Sequence, residues 1–177
     1  LKGILDEGLL LRRINIRQVM PVRREFPPTV SHSEFLRFKD RIRQEIDRPL
    51  LERLVPVGTV LRSVYTEMRE GKVAFGRQIG TYPLLIGISH PVELERFYDV
   101  AVVGHGFRSV SAVQYPLNVN GCHITALEAL PGLGRKRAIR LFRARPIEGR
   151  EDLRKALDDP RVADAALPFL SFDLPEH

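Results

Sequence analysis

The chain holds one cysteine, Cys122, and no tryptophan among its 177 residues. A single thiol excludes an internal disulfide, and with His123 as its only ligand-type neighbour it does not make a tetrahedral metal site. Cys122 is therefore read as a small buried hydrophobe. No uninterrupted apolar run approaches the roughly 20 residues of a membrane-crossing helix, and no signal-peptide pattern opens the chain. The expectation is a cytoplasmic protein with no membrane partner. Paired carboxylates, a nucleophile triad and a phosphate-cradling P-loop are also missing, so intrinsic catalysis is not expected. His105, set between Gly104 and Gly106, is read as a hydrogen-bonding loop residue without a catalytic role.

With 44% apolar and 28% charged residues, the chain has a globular composition and can bury a core. Its length suits one domain or two or three small ones. It opens on Leu1, which fits a piece of a longer protein.

The most informative stretch is Leu127-Glu128-Ala129-Leu130-Pro131-Gly132-Leu133-Gly134-Arg135-Lys136-Arg137-Ala138-Ile139-Arg140. A Pro-Gly-x-Gly turn lies between two helical patterns, and positive charge follows it. Gly132 and Gly134 can take backbone angles with φ > 0 that a side chain disfavours, so successive N–H groups can point the same way at a helix start. The helix dipole and the side chains of Arg135, Lys136, Arg137 and Arg140 make that end attractive to an anion. Residues 118–150 carry seven Lys/Arg and two Asp/Glu, a balance of +5 against +6 for the whole chain, and residues 151–177 carry three basic and seven acidic residues. The basic patch is local, and the acidic tail is not expected to touch a polyanion.

Upstream of that turn, Leu1 to Leu11 starts like a helix and breaks near Gly8. Arg12 to Val19 alternates charged with apolar residues like a half-buried strand. Ser31 and Glu34 fit a capping box opening a helix whose core face is Phe35, Phe38, Ile42 and Ile46. Pro49 interrupts or kinks it, with Asp47 able to cap a short continuation. Five β-like runs follow at 59–68, 72–78, 84–88, 98–103 and 107–113, with bends or bulges expected at the intervening glycines. Small barrels of this kind carry oligonucleotides on one face. Tyr65, Phe75, Arg77, Tyr82 and Arg108 are the candidate contacts there, with filling of the barrel as the plain alternative for Tyr65 and Phe75. Helices are expected at 124–130, 135–145, 151–157 and 162–170, and Asp158-Asp159-Pro160 reads as a decayed second copy of the turn whose two aspartates would repel phosphate, so that its role is in packing.

Asn118-Val119-Asn120 followed by Leu127-x-x-Leu130-Pro131-Gly132-Leu133-Gly134-x-x-x-Ala138 and Arg145 resembles the helix-hairpin-helix motif, above all the form in DNA-uptake proteins of competent bacteria. Where that form has Thr after the second Asn, this chain has Gly121. Gly58-Thr59-Val60 through Gly76-Arg77 to Asp99-Val100-Ala101-Val102 is similar to a TRAM domain, a small barrel attached to RNA-modifying radical SAM enzymes. The segment from Asp6 to Val19 resembles the last helix and strand of the radical SAM barrel in archaeal proteins that end in a helix-hairpin-helix. The resemblance implies an α+β chain. Residues 1–26 would be the remnant of an upstream catalytic barrel, 27–56 linker helices, 57–116 a five-stranded antiparallel TRAM/OB-like barrel and 117–177 a helix-hairpin-helix domain. It also implies that a 4Fe-4S cluster and S-adenosylmethionine belong to the upstream domain, because the C-x-x-x-C-x-x-C motif is not in this sequence. No cofactor is expected in this chain.

These readings converge on a noncatalytic region that grips the phosphate backbone of DNA or RNA through Gly132, Leu133, Gly134, Arg135, Lys136, Arg137 and Arg140, accessory to a radical SAM domain. About four neutralised phosphates would give a salt slope near −3 to −4. A protein-docking or intramolecular scaffold role is the alternative.

Overall fold

Why Val60 to Glu70 makes a long strand is visible at its centre, where alternation sends Val64 and Thr66 into a fully buried interior and leaves Tyr65 half-buried and Glu67 outside. In a computed structural model, which describes residues 3, 6–9, 14–18, 30–81 and 83–174, this strand, β1, is followed by β2 (Val73–Gln78), β3 (Leu85–Ile88), β4 (Phe97–His105) and β5 (Ser109–Gln114). They close into a five-stranded barrel of order β1-β2-β3-β5-β4. Val64, Ala74, Ile86, Ile88, Val100, Val102, Val110 and Ala112 are buried along these strands.

The expected antiparallel barrel needs one correction. β3 and β5 pair in parallel, Leu85 with Ser109 through Ile88 with Ala112, while the pairings of β1 with β2 and β4, and of β2 with β3, are antiparallel. The chain leaves β3, places β4 beside β1, and only then returns with β5 to the free edge of β3, and that order of visits fixes the parallel sense. The expected turn at Gly71, with φ +56°, and the bend at Gly80 are present, but the bulges are placed differently. Register shifts fall within β1, between Leu61 and Val64 and between Thr66 and Met68, not at glycines. Asp99 caps the first, accepting from the N–H of Ser63 at 2.9 Å and from Arg62 at 2.8 Å, with Ser63 at φ +53°. Thr66 holds the second, its hydroxyl 2.9 Å from the Glu93 carbonyl and its backbone bonded to Glu95 and Arg96.

Helices α1 (His32–Ile42) and α2 (Arg48–Leu54) belong to a separate compact unit, Leu1–Pro56 with His105–Arg108. The Ser31/Glu34 capping box is present. Its Ser31 bonds hold the Glu34 carboxyl below its usual pKa. Ile42, Ile46 and Leu50 are buried and Ile14 and Ile16 pack on them, whereas Phe38 of the expected core face is exposed. Between the helices lies a π-helical turn, Arg43–Asp47, before Pro49. Asp47 makes no cap. It is 1% exposed and accepts from the Ile14 N–H at 3.0 Å and the Arg108 guanidinium at 3.1 Å. Residues 14–18 alternate half-buried and exposed as the sequence suggests but form no strand, and the rest of the expected strand, at 12, 13 and 19, lies outside the described residues.

The second unit, Val57–Gly104 with Ser109–His177, joins the barrel to the C-terminal helices. Ala101 and Val113 of the barrel lie in one core with Leu117, Val119, Leu127, Leu141, Leu153, Leu157 and Phe169. The helices are α3 (Ile124–Ala129), α4 (Gly134–Arg143), α5 (Arg150–Leu157) and α6 (Pro160–Ala166). Strand β6 (Leu117–Asn118) precedes them, and a short 3-10 turn after α6 leads to β7 (Leu170–Ser171), which pairs with β6 in parallel. No helix among the described residues is long and apolar enough to cross a membrane.

Gly76 is set by close approach: a Cβ there would lie 2.5 Å from the Tyr65 carbonyl oxygen. Gly76→Ala lowers stability by about 1–3 kcal/mol, while Gly80→Ala, where a Cβ meets nothing within 4 Å, leaves it nearly unchanged; urea unfolding followed by circular dichroism checks both.

His90, 4% exposed, accepts from the Gln114 N–H through Nε2 at 3.1 Å and lies 3.3 Å from the Pro91 carbonyl through Nδ1. The Gln114 bond requires an unprotonated Nε2. Burial holds its pKa below the usual value, partly opposed by the Pro91 bond and assisted by the charge of His123. Because the native state binds the proton less readily than the unfolded state, this contribution is complete above about pH 6.5 and is lost as pH falls toward the lowered native value. Wild type therefore loses more stability than His90→Gln between pH 7 and 5, measured by unfolding at each pH; equal slopes would remove His90 as the cause.

Candidate functional site

The C-terminal helices are anchored by the segment that leaves the barrel. Asn118 Oδ1 accepts from the N–H groups of Asn120 (2.9 Å) and Gly121 (3.2 Å), a turn closed by the side chain itself. Asn120 then reaches across the unit: its Oδ1 accepts from the Ile147 N–H at 2.8 Å, and its Nδ2 donates to the Ile147 carbonyl at 2.9 Å and the Phe172 carbonyl at 3.3 Å. His123 caps α3, its Nδ1 accepting from the Thr125 N–H at 3.3 Å, which supplies a cap next to Gly121. Arg145 donates to the Cys122 carbonyl at 2.8 Å and lies 3.2 Å from the thiol, with its guanidinium over the Phe142 ring at 4.4 Å. Cys122 is half-buried, and burial raises its thiol pKa against the opposing pull of Arg145.

On this frame the turn between α3 and α4 is built. Gly132 has φ +77° and Gly134 φ +55°, so both adopt the backbone angles that their lack of a side chain permits. Leu130 and Leu133 face inward and are buried, which turns Gly132, Gly134, Arg135 and Lys136 outward. The Leu133 N–H is bonded to the Leu130 carbonyl at 3.2 Å. The N–H groups that open α4 have no intrahelical acceptor by geometry, and Leu133 at the N-cap offers no side-chain bond. Leu133, Gly134, Arg135, Lys136, Arg137 and Arg140 line one open depression of about 430 Å³ together with Asp158.

Six of the seven residues expected at this site thus come together there, and the seventh, Gly132, precedes them in the turn. The turn at Asp158-Asp159-Pro160 packs and also pairs with cations of the site. The turn between α5 and α6 packs beside the glycine turn, where a Cβ on Gly132 would meet the Val162 side chain at 3.5 Å. Asp158 pairs with Arg140, and Asp159 lies 3.4 Å from Arg137, which also donates to the Gly132 carbonyl at 2.9 Å. Among the described residues Arg135 and Lys136 have no acidic partner.

The barrel candidates divide. Arg77, Tyr65 and Phe97 are register neighbours across β2, β1 and β4, and the Tyr65 and Phe97 rings lie 5.1 Å apart at 50°. Phe97 is 57% exposed and joins the candidates only through the structure, although strand alternation opposite Tyr65 carries the signal. Phe75 pairs with Met68 and its ring lies against Gly87. Tyr65 and Phe75 are half-buried and alternate with the fully buried Val64, Ala74 and Gly76, so they do not fill the interior. Arg77 is paired with Glu67, Arg62 with Asp99 and Arg96 with Glu93, so the charge on these strands is balanced locally. Arg108 is engaged elsewhere, binding Asp47 and, at 2.7 Å, the Ile14 carbonyl. His105, expected in a loop, is the last residue of β4 and bonds the Val55 carbonyl at 2.7 Å. Tyr82 lies outside the described residues. Among the described residues no group of three or more His, Cys, Asp and Glu side chains is placed to hold a metal ion, and one thiol beside Arg145 does not supply ligands for an iron–sulfur cluster.

The chain is 37% identical over 155 residues to an uncharacterised protein of Archaeoglobus fulgidus, a match covering 83% of this chain and 28% of that protein. It is 43% identical over 123 residues to an uncharacterised protein of Methanocaldococcus jannaschii, covering 63% of this chain and 22% of the relative. The chain thus spans about a quarter of the length of these archaeal proteins. No family model matches it. No solved structure matches it either.

Asn120→Ala leaves the Ile147 N–H and carbonyl without their side-chain partners and lowers stability by about 1–3 kcal/mol, read from urea unfolding.

Proposed function

We propose that this chain binds the phosphate backbone of DNA or RNA without reading sequence, through the turn Gly132-Leu133-Gly134 and the start of α4. The observation that carries this reading is the depression where backbone N–H donors of a helix start and the cations Arg135 and Lys136 face solvent together. Two physical effects act in one place. The helix start offers oriented donors to an oxygen, and the dipole and ammonium or guanidinium groups favour its negative charge. Contacts of this kind fix position on a nucleic acid and carry no sequence information. The arrangement agrees with a helix-hairpin-helix. The barrel agrees with a TRAM/OB-like module whose half-buried Tyr65 and exposed Phe97 rings offer stacking surface but little net charge.

In this reading the chain is noncatalytic by itself. It serves as the nucleic-acid-presenting part of a longer archaeal enzyme of radical SAM type, whose cluster and S-adenosylmethionine lie in the remainder of the protein. The length of the relatives supports such an arrangement.

With Arg137 and Arg140 engaged internally, Arg135 and Lys136 are the cations free to neutralise phosphate, and two such contacts give a salt slope of about −1.8 on duplex DNA. Titration of a fluorescent oligonucleotide at several salt concentrations measures it. Arg135→Ala with Lys136→Ala weakens binding equally for unrelated sequences and reduces the slope by about 2. Binding indifferent to salt, or to this double substitution, would overturn the proposal.

A further inference from the structure

Asp158 and Asp159 are placed where a polyanion's own charges would go. Asp158 lines the same depression as Arg135 and Lys136 and pairs with Arg140, and Asp159 pairs with Arg137. Asp158 stands at the C-cap of α5 with φ +53°, a left-handed conformation for which glycine and asparagine are the usual residues. The position calls for a short residue but does not call for a negative charge. Asp159 also caps α6, accepting from the Arg161 N–H at 3.0 Å, and an asparagine can keep that cap; the Arg140–Asp158 pair differs from those that merely hold a fold together. The Arg140 and Asp158 side chains are 50% and 61% exposed, so neither group is left desolvated when the carboxylate is removed.

Resting on the phosphate-backbone reading, we infer that Asp158 and Asp159 are resident anions that occupy half of the cationic site and keep its grip weak. They take Arg140 and Arg137 out of the interface and leave Arg135, Lys136 and the helix-start amides to the ligand. A phosphodiester chain is then held at a few points and released readily, which suits a region that must let nucleic acid move. Removing both carboxylates returns two guanidinium groups to the same depression.

The test uses the 177-residue chain and a labelled duplex of about 20 base pairs at low and moderate salt. Asp158→Asn with Asp159→Asn, which retains short residues able to occupy both positions, tightens binding about tenfold and steepens the salt slope from about −1.8 to about −3.6, the change from two to four neutralised phosphates. Asp152→Asn with Asp164→Asn makes the same change in net charge at carboxylates whose partners are Lys155, Arg150 and Arg154, and it leaves affinity within about twofold. A variant that binds no better than wild type, or no better than this charge-matched control, overturns the inference while wild-type binding sensitive to Arg135 and Lys136 leaves the site itself standing. Failure of both wild type and variant to bind any nucleic acid overturns the site and the inference together. Should the aspartate variant fold poorly, Arg140→Gln in the otherwise unchanged chain decides. A residue already engaged loses less than about twofold, and a loss as large as that of Arg135→Ala means that Asp158 does not withhold it.

Discussion

The C-terminal region depends on the backbone of Gly132 being able to pass beside Val162 at positive φ. That approach lets the turn after α3 and the turn after α5 lie against one another. Arg137 then ties them, donating to the Gly132 carbonyl on one side and meeting Asp159 on the other. A residue with a side chain at 132 would face an unfavourable φ, while its Cβ would meet Val162 at an ordinary van der Waals distance of 3.5 Å. With this contact in place Leu130 and Leu133 enter the core, and the start of α4 is directed outward. The polar face of the site is a consequence of its apolar back.

Linear charge bias becomes something different once the chain folds. The basic segment and the acidic tail suggest a dipolar molecule with one face for a polyanion and another without a role. Folding instead brings part of the tail onto the basic helix, where Asp158 and Asp159 meet Arg140 and Arg137. Elsewhere Asp164 of the tail binds Arg154 of the tail and Arg150 of the basic segment, which hold its carboxyl below its usual pKa. The net field over the start of α4 is thereby smaller than a count along the sequence suggests, and its remaining centre is Arg135 and Lys136.

The order and type of the elements are legible in the sequence because most of them rest on local signals. Alternation marks the five strands, and the capping box, the glycines and the prolines mark helix limits with small errors at their ends. The glycine turn is legible because positive φ has few solutions. The parallel pairing of β3 with β5 is not, since it follows from the order in which the chain visits the barrel and leaves no periodicity behind. Asp47 resembles a helix cap from its place before Arg48 and Pro49. Its burial under Ile14 and Arg108 depends on residues 33 and 61 positions away, which local reasoning does not reach. Phe97 escapes notice for the same reason: its significance lies in facing Tyr65 across two strands.

Burial explains why similar ion pairs do different work here. Asp47 is almost fully enclosed and is satisfied by a backbone N–H as well as by Arg108, so Arg108 could leave it for a solvent anion only by stranding a desolvated carboxylate. That pair fixes local structure. Asp158 loses little when Arg140 leaves, because water replaces the contact at once. An arginine held by an exposed carboxylate is returned to solvent when that carboxylate is removed, whereas one held by a buried carboxylate is committed to the fold. Arg108 and Arg140 look equivalent in the sequence as candidate phosphate contacts, and it is the environment of the aspartate each one meets that separates them.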